Sequence, residues 1–173
     1  MRIEKETTKI DQRDTAAITA LIERYYLEIL RYCKWHAPGS EMAEDAAQEV
    51  FLKAVRFLDR DGFHGNFRAF LYQIARNTCL DMKKNRWNYV CCLDDINDEL
   101  HDPGTFVDRV DVKRDLEAAL SGLDDMEREL IQLRFGQDLK LREIAEILDL
   151  PLRTVQSKLR KAIKQMKSEL EVK

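Results

Sequence analysis

The sequence lacks any long run of apolar residues. No segment approaches the roughly 20 consecutive apolar residues that a membrane-spanning helix requires, so membrane insertion is not expected. The amino-terminal stretch MRIEKETTKIDQRD is also too polar for a signal peptide. We therefore expect a soluble, globular and cytoplasmic protein.

Cysteine is scarce, and the four residues are Cys33, Cys79, Cys91 and Cys92. Two of them are adjacent and the spacings match no disulfide framework, so we expect reduced thiols. Cys33 and His36 lie one helical turn apart, which makes a zinc or redox site conceivable. No C-x-x-C or H-x-x-x-C pattern accompanies them, so no metal site is predicted.

A catalytic constellation is missing as well. His64 and His101 have no evident nucleophile or carboxylate partner, and no glycine-rich loop could cradle a phosphate group. These absences argue against an enzyme. We predict no catalytic residues and no cofactor.

The charges are numerous but nearly balanced, because 29 Lys and Arg residues stand against 32 Asp and Glu residues. Net charge therefore cannot reveal a nucleic-acid surface, and the distribution of charge has to do so. Residues 150–167 contain six cations and no acid, whereas residues 88–111 contain seven acids and one cation, Arg109. These two segments are candidates for separate roles.

Apolar periodicity predicts three helices in the first half of the chain. The first carries its apolar stripe over residues 18–33, and the second, over 42–58, follows Ser40 as a candidate N-cap. The second helix is expected to direct four side chains inward: Ala46, Val50, Ala54 and Phe57. After the break DRDGFHGN, the third helix is predicted over about 67–86. No strand is predicted, so the fold class is all-α.

The acidic segment divides the chain into two small helical domains. We predict a first domain over residues 1–87, an acidic linker over 88–112 and a second domain over 113–173. In the second domain the stretch DDMERELIQLRF is predicted to be a helix that stops at Gly136.

The second domain also contains a candidate helix-turn-helix. A short helix over residues 141–148 is expected to present Ile144, Ala145 and Leu148 to a core, and Pro151 fits the first position of the following helix. In that helix one stripe is apolar: Leu152, Val155, Leu159, Ala162 and Met166. Polar and cationic residues point the other way: Arg153, Thr154, Ser157, Arg160, Lys161 and Lys164. A solvated charged face usually mixes signs, so we predict nucleic-acid binding here.

Three motifs together resemble one protein family. The stretch EDAAQEVFLKAVRFLD matches a D-x-x-Q-E-x-F pattern at Asp45, Gln48, Glu49 and Phe51. The stretch FRAFLYQIARNTCLD is similar to an F-x-x-W-L-x-x-I-A-x-N pattern with Phe70 in place of Trp, and GQDLKLREIAEILDLPLRTVQSKLRKA is similar to a carboxy-terminal helix-turn-helix. In this order, with an acidic linker between them, they resemble the bacterial ECF (extracytoplasmic function, group IV) sigma factors of the sigma-70 family.

The resemblance implies an adaptor that directs core RNA polymerase to specific promoters and helps to open them. The first domain would be sigma region 2, which grips the clamp helices of the largest polymerase subunit, and the second would be region 4, which meets the flap of the second-largest subunit. The implied polymerase-binding residues are Asp45, Gln48, Glu49 and Leu52. The alternative is an ordinary solvated face in which Glu49 and Lys53 pair. An anti-sigma factor, common in the family, is a candidate further partner.

Two sets of DNA-binding residues are implied in the same way. Those for the minus-ten element, where one base is flipped out, are Phe63, His64, Asn66, Arg76, Asn77, Lys83 and Lys84. Those for the minus thirty-five element are Arg153, Thr154, Gln156, Ser157, Lys158, Arg160 and Lys161. Gln156 suits adenine and Arg160 or Lys161 suits guanine, whereas Arg153, Thr154 and Lys158 are expected at phosphates.

The sequence departs from the family pattern at a few positions. The loop DRDGFHGN differs from the commoner type, Arg153 replaces a residue that is often small, and Lys140 stands where a Ser or Thr cap is common. A missing cap costs about 1 kcal/mol. The alternative function is a stand-alone helix-turn-helix regulator with a helical sensing or dimerisation domain, which would not need the D-x-x-Q-E-x-F helix.

Overall fold

The computed structural model describes residues 15–61, 63–90 and 119–171. These residues are mostly helical and include no β-strand, which confirms the predicted all-α class. The chain divides into two compact units, residues 1–103 and 104–173. Within the described segments, no helix has both the length and the apolar character needed to cross a bilayer.

The described part of the first unit contains three helices that all pack against one another. Helix α1 spans Thr15–His36, α2 spans Ala43–Asp61 and α3 spans Phe67–Val90. A short 3₁₀ turn, Ser40–Met42, joins α1 to α2. The prediction that Ser40 caps α2 is therefore wrong, because Ser40 opens this turn instead.

The core of the first unit lies between these helices, and its largest fully buried side chains are Ile29, Tyr32, Val50, Leu58, Leu71 and Tyr72. The predicted burial of Ala46, Val50 and Ala54 is confirmed. The prediction for Phe57 is wrong, because its side chain is 37% exposed. Its ring lies 4.9 Å from that of Phe70, at the edge of the contact between α2 and α3.

Helix α3 ends later than its periodicity predicted. It continues through residues 88–90, which the prediction gave to the acidic linker. The rest of the predicted linker, 91–112, lies outside the described residues, and so does the start of the predicted second domain, 113–118. The boundaries 1–87, 88–112 and 113–173 stay predictions.

The described part of the second unit is helical as well, starting with residues 119–121. Helix α4 spans Asp125–Ile131 and runs into the π-helical turn Gln132–Gly136; α5 spans Leu141–Ile147 and α6 spans Leu152–Glu171. The predicted stop at Gly136 is confirmed. The core side chains of this unit include Leu130, Leu133, Leu139, Ile144, Val155 and Leu159.

A reciprocal capping box starts α4. The backbone N–H of Glu127 donates to Asp124 Oδ1 at 2.7 Å, and the backbone N–H of Asp124 donates to Glu127 Oε2 at 3.3 Å. Two donors that the helix leaves unpaired are thereby satisfied. Glu127 is only 2% exposed, so this carboxylate belongs to the core of the unit.

The turn between α5 and α6 follows the predicted helix-turn-helix. Asp149 adopts φ of 51°, and the Leu150 N–H donates to the Ala145 carbonyl at 2.9 Å. The carbonyl of Pro151 accepts from the N–H groups of Thr154 and Val155, so Pro151 precedes α6 and is not its first residue. Of the three residues expected to face the core from α5, Ile144 and Leu148 are buried and Ala145 is half-buried.

Lys140 precedes α5 and cannot cap it, because an ammonium group is only a donor. Glu143 compensates in part, since its Oε2 accepts from the backbone N–H of Lys140 at 2.7 Å.

The capping box gives a stability prediction. Asp124→Ala removes the acceptor of the Glu127 N–H and should lower the free energy of unfolding of the second unit by about 1 kcal/mol. Chemical denaturation, monitored by the hydrogen exchange of the α4 amides, measures this loss of unfolding free energy. Asp125→Ala is the matched control, because Asp125 is exposed and its ion pair with Arg128, at 3.5 Å, lies at the surface. Equal effects of the two substitutions would contradict the capping role.

Candidate nucleic-acid and protein interfaces

The outer side of α2 carries acidic, amide and apolar groups next to one another. Asp45 and Gln48 are exposed, Glu49 is half-buried, and Leu52 is 51% exposed. Glu49 lies 3.7 Å from the ammonium of Lys53, as the alternative interpretation of this face predicted. Lys53 also donates to Thr78 Oγ1 at 3.1 Å, so it is shared between α2 and α3. The ion pair partly neutralises the charge of Glu49, so the exposed Asp45 carries the more accessible negative charge on this side of α2.

The loop before α3 is fixed by two of the residues that were assigned to DNA. The Phe63 ring lies 4.8 Å from Phe70 and 5.6 Å from Phe67, within an aromatic cluster. Asn66 Oδ1 accepts from the Ala69 N–H at 3.2 Å and so caps the start of α3. His64 is exposed between them. The DNA contacts of Phe63 and Asn66 stay predictions, and both side chains have structural roles in addition.

A groove of about 230 Å³ lies between α2 and α3, lined by Lys53, Phe57, Phe70, Ile74, Asn77 and Thr78. The structure therefore places Asn77, an exposed residue, beside two aromatic rings and a cation. The sequence did not identify Lys53 or Phe57 as neighbours of Asn77. Phe57 had been assigned to the core, and the spacing of one helix says nothing about which residues a second helix brings alongside it.

The basic residues of α3 differ in their surroundings. Arg68 pairs with Glu28 of α1 at 2.8 Å, and Arg86 donates to the carbonyl of Pro38 at 2.6 Å. These two arginines tie α3 to other parts of the first unit. Lys83 and Lys84 are exposed, which leaves their charges accessible to a ligand. Arg76 is half-buried.

Helix α6 separates its apolar and polar sides as the sequence predicted. Of the predicted apolar stripe, Val155, Leu159 and Ala162 are buried, and Leu152 and Met166 are half-buried. The side chains of the minus thirty-five set fall into two classes of exposure. Arg153, Gln156, Ser157, Arg160 and Lys161 are exposed, and Thr154 and Lys158 are half-buried. The early turns of α6 thus offer donors and acceptors on one accessible side, as base-edge recognition requires.

Lys161 differs from its neighbours because its ammonium already has a partner. Lys161 Nζ lies 2.6 Å from Glu127 Oε1, and this hydrogen bond raises the pKa of Lys161. One turn further, Gln165 Nε2 donates to the carbonyl of Gly122 at 2.6 Å. The prediction that Lys161 reads a base is untested, but the side chain lies against α4 in this structure.

The cysteines that the structure describes lie in the core of the first unit. Cys33 and Cys79 are both buried, and neither forms a disulfide. The hydrogen bond with Cys79, together with burial, raises the pKa of the Cys33 thiol, so it stays protonated at neutral pH. Among the described residues, no group of three or more His, Cys, Asp or Glu side chains could hold a metal ion.

Two helical units, one of which presents a helix-turn-helix with an accessible cationic side, define a multidomain DNA-binding protein. Comparison with known families refines this class. Residues 21–89 match Sigma-70 region 2, and residues 119–168 match Sigma-70 region 4. The chain belongs to the sigma-70 family and is an ECF sigma factor.

Similar proteins of known name agree with this assignment. The RNA polymerase sigma factor YlaC of Bacillus subtilis is 30% identical over 159 residues, covering 89% of this chain and 92% of YlaC. The ECF RNA polymerase sigma factor SigW of the same organism is 25% identical, covering 98% and 97% of the two chains. The sigma factor RpoE of Bartonella quintana, solved in complex with the anti-sigma factor NepR, shares the fold with a TM-score of 0.68 at 23% identity, covering 89% of this chain and 98% of that one.

The family membership establishes the function at the level of the whole protein. The chain is a promoter-specificity factor for transcription initiation by RNA polymerase, and a stand-alone regulator is not favoured. Sigma factors are initiation factors and are generally not enzymes.

Proposed function

We propose that this sigma factor divides its work between the two helical units. Residues 1–87 act as region 2, which binds core polymerase and opens the minus-ten element, and residues 113–173 act as region 4, which binds the minus thirty-five element. The protein works in the cytoplasm, without catalysis of its own. The observation that carries the proposal is that α2 and α6 each bury one side in their own unit and leave accessible the side on which most of the predicted contact residues lie.

The outer side of α2 is the proposed contact with the clamp helices of the largest polymerase subunit. Its members are Asp45, Gln48, Glu49 and Leu52. The carboxylates of Asp45 and Glu49 suit a basic partner, and the half-exposed Leu52 adds apolar area that binding would remove from water. None of these four side chains is fully buried in the described part of the first unit, so they can serve a partner.

The groove between α2 and α3 is the proposed site for an unstacked base of the minus-ten element. Asn77 offers an amide for the base edge, while Phe57 and Phe70 offer ring surface for stacking. The exposed Lys83 and Lys84 lie about two turns further along α3, where they would meet phosphates. His64 is the exposed loop residue that can approach the same strand.

An anti-sigma factor is a further proposed partner. The structural relatives include CnrH, solved in complex with the cytosolic domain of CnrY, and it shares the fold with a TM-score of 0.64 at 19% identity. Together with RpoE, which was solved in complex with the anti-sigma factor NepR, this relative supports the proposal that an anti-sigma factor binds the present chain.

The polymerase contact predicts the effect of a charge reversal. The double variant Asp45→Lys, Glu49→Lys should weaken binding to core polymerase by at least about tenfold, because it places like charges against the basic partner. The matched control is Glu23→Lys, Glu41→Lys, which makes the same change of charge at two exposed positions of the same unit. Fluorescence-anisotropy titration with purified core polymerase measures both. Equal affinities of the two double variants would remove the α2 face from the interface.

The minus-ten site predicts slower promoter opening without Asn77. Asn77→Ala should slow open-complex formation roughly three- to tenfold, the loss expected for one net hydrogen bond. A promoter with a pre-melted minus-ten bubble should restore part of the rate. Asn85→Ala is the control, since Asn85 is an exposed asparagine about two turns further along α3. Permanganate footprinting over time reports melting; normal kinetics for Asn77→Ala would exclude the residue from the site.

The minus thirty-five site predicts two kinds of defect. Gln156→Ala and Arg160→Ala should relax the preference at one or two base pairs, by about 1–3 kcal/mol. Arg153→Ala and Lys158→Ala should weaken all sequences alike and lower the salt slope by about one unit each. Holoenzyme binding to a promoter library randomised at the minus thirty-five element, at several salt concentrations, separates these effects. An unchanged preference in both Gln156→Ala and Arg160→Ala would reduce α6 to an electrostatic anchor.

A further inference from the structure

One cation of α6 is tied to the protein core. Lys161 Nζ and Glu127 Oε1 are 2.6 Å apart, and the two residues are 34 positions apart in the chain. The Glu127 side chain is 3% exposed, whereas the Lys161 side chain is 69% exposed. The lysine therefore spans from the outer surface of α6 to a carboxylate inside the unit.

Glu127 uses both of its oxygens for structure. Oε1 accepts from Lys161, and Oε2 accepts from the backbone N–H of Asp124 in the capping box of α4. A buried carboxylate has to be paired and hydrogen-bonded, because otherwise it loses the solvation that water would give it. Lys161 supplies the positive charge of this arrangement.

A second contact joins α6 to the same region. Gln165 lies four residues after Lys161 and so shares its side of the helix. Gln165 Nε2 donates to the Gly122 carbonyl at 2.6 Å. Two successive turns of α6 therefore attach to the segment 122–127, which leads into α4 and forms its first turn.

We propose that Lys161 is a positioning residue, which fixes α6 against α4 through Glu127 and so sets how the helix meets the promoter, and that it is not a base-reading residue. The proposal rests on the role of α6 proposed above. Gln156 and Arg160 remain the base readers, and they depend on Lys161 for the orientation of their helix.

The first test measures the attachment of α6 without DNA. Tryptophan fluorescence would report on the first unit, because Trp35 and Trp87 both lie there. Amide hydrogen exchange of the whole chain follows individual helices and therefore reports on the second unit directly. Lys161→Met and Glu127→Gln should each speed exchange in α4 and α6 severalfold. In Glu127→Gln the new side-chain amide would direct its NH₂ group at one of the two donors, so this variant loses one hydrogen bond without a change of size.

A double-mutant cycle makes the test specific to the pair. The double variant Lys161→Met, Glu127→Gln should exchange no faster than the faster single variant, because each single change already removes the ion pair between the two residues. Lys161→Arg keeps a charged donor and should restore protection. Lys164→Met, which removes one exposed charge from the same helix, is the control and should exchange like the unmodified protein. Additive effects in the double variant would overturn the proposal.

The second test measures promoter preference in the holoenzyme. Lys161→Met and Glu127→Gln should weaken binding to all minus thirty-five sequences by similar factors and leave their ranking unchanged. Glu127 is 2% exposed, so its substitution can affect DNA binding only indirectly, by changing how α6 is held. A changed ranking for Lys161→Met with unchanged exchange would make Lys161 a base reader. A salt slope about one unit lower for Lys161→Met, with unchanged exchange, would make Lys161 a phosphate contact. Either result overturns the proposal.

Failure of the proposed function has a different signature. If Gln156→Ala and Arg160→Ala leave the base ranking unchanged, α6 does not read the promoter. The exchange measurements still decide whether Lys161 positions the helix, because they contain no DNA.

Discussion

The burial of one side of each amphipathic helix is the constraint on which the proposed interfaces of α2 and α6 depend. Helix α2 packs Ala46, Ala47 and Val50 into the first unit, and α6 packs Val155 and Leu159 into the second. Residues three and four apart share a side of a helix, so fixing the buried side also fixes which residues form the accessible one. The packing of each core therefore determines which residues form the interface. A substitution in either core would disturb the interface on the opposite side of the helix.

The features that the sequence predicted well are those that one helix encodes by itself. The stripes of α1, α2 and α6 are regular and strongly apolar, so their existence and their buried sides followed from periodicity. The helix-turn-helix could also be predicted from the sequence, because Pro151 and the change of apolar period mark its turn within a few residues. The helix ends were less certain: Ser40 and Pro151 were each placed in a neighbouring structural position.

The features that the sequence could not predict join residues that are distant along the chain. The ion pairs Arg68–Glu28 and Lys161–Glu127 each join two helices, and nothing local in the sequence shows that these residues lie side by side. Phe57 occupies a position at the boundary of an apolar stripe, and only the placement of α3 decides that it lines a groove. The charge pattern of a sequence can identify a cationic helix face. The number of cations on that face that are available to a ligand depends on how the neighbouring helices pack against it.

The loop before α3 contains three residues that fix its conformation and one exposed residue that is available to a ligand. Phe63 is held by the aromatic cluster, Asn66 caps the helix, and Gly65, with φ of 147°, occupies a backbone conformation that favours glycine. His64 alone among the four is neither bound to the aromatic cluster nor required by the backbone. Because His64 is exposed, we expect its substitution to cost little stability, so the proposed minus-ten contact of this residue can be altered without disturbing the fold.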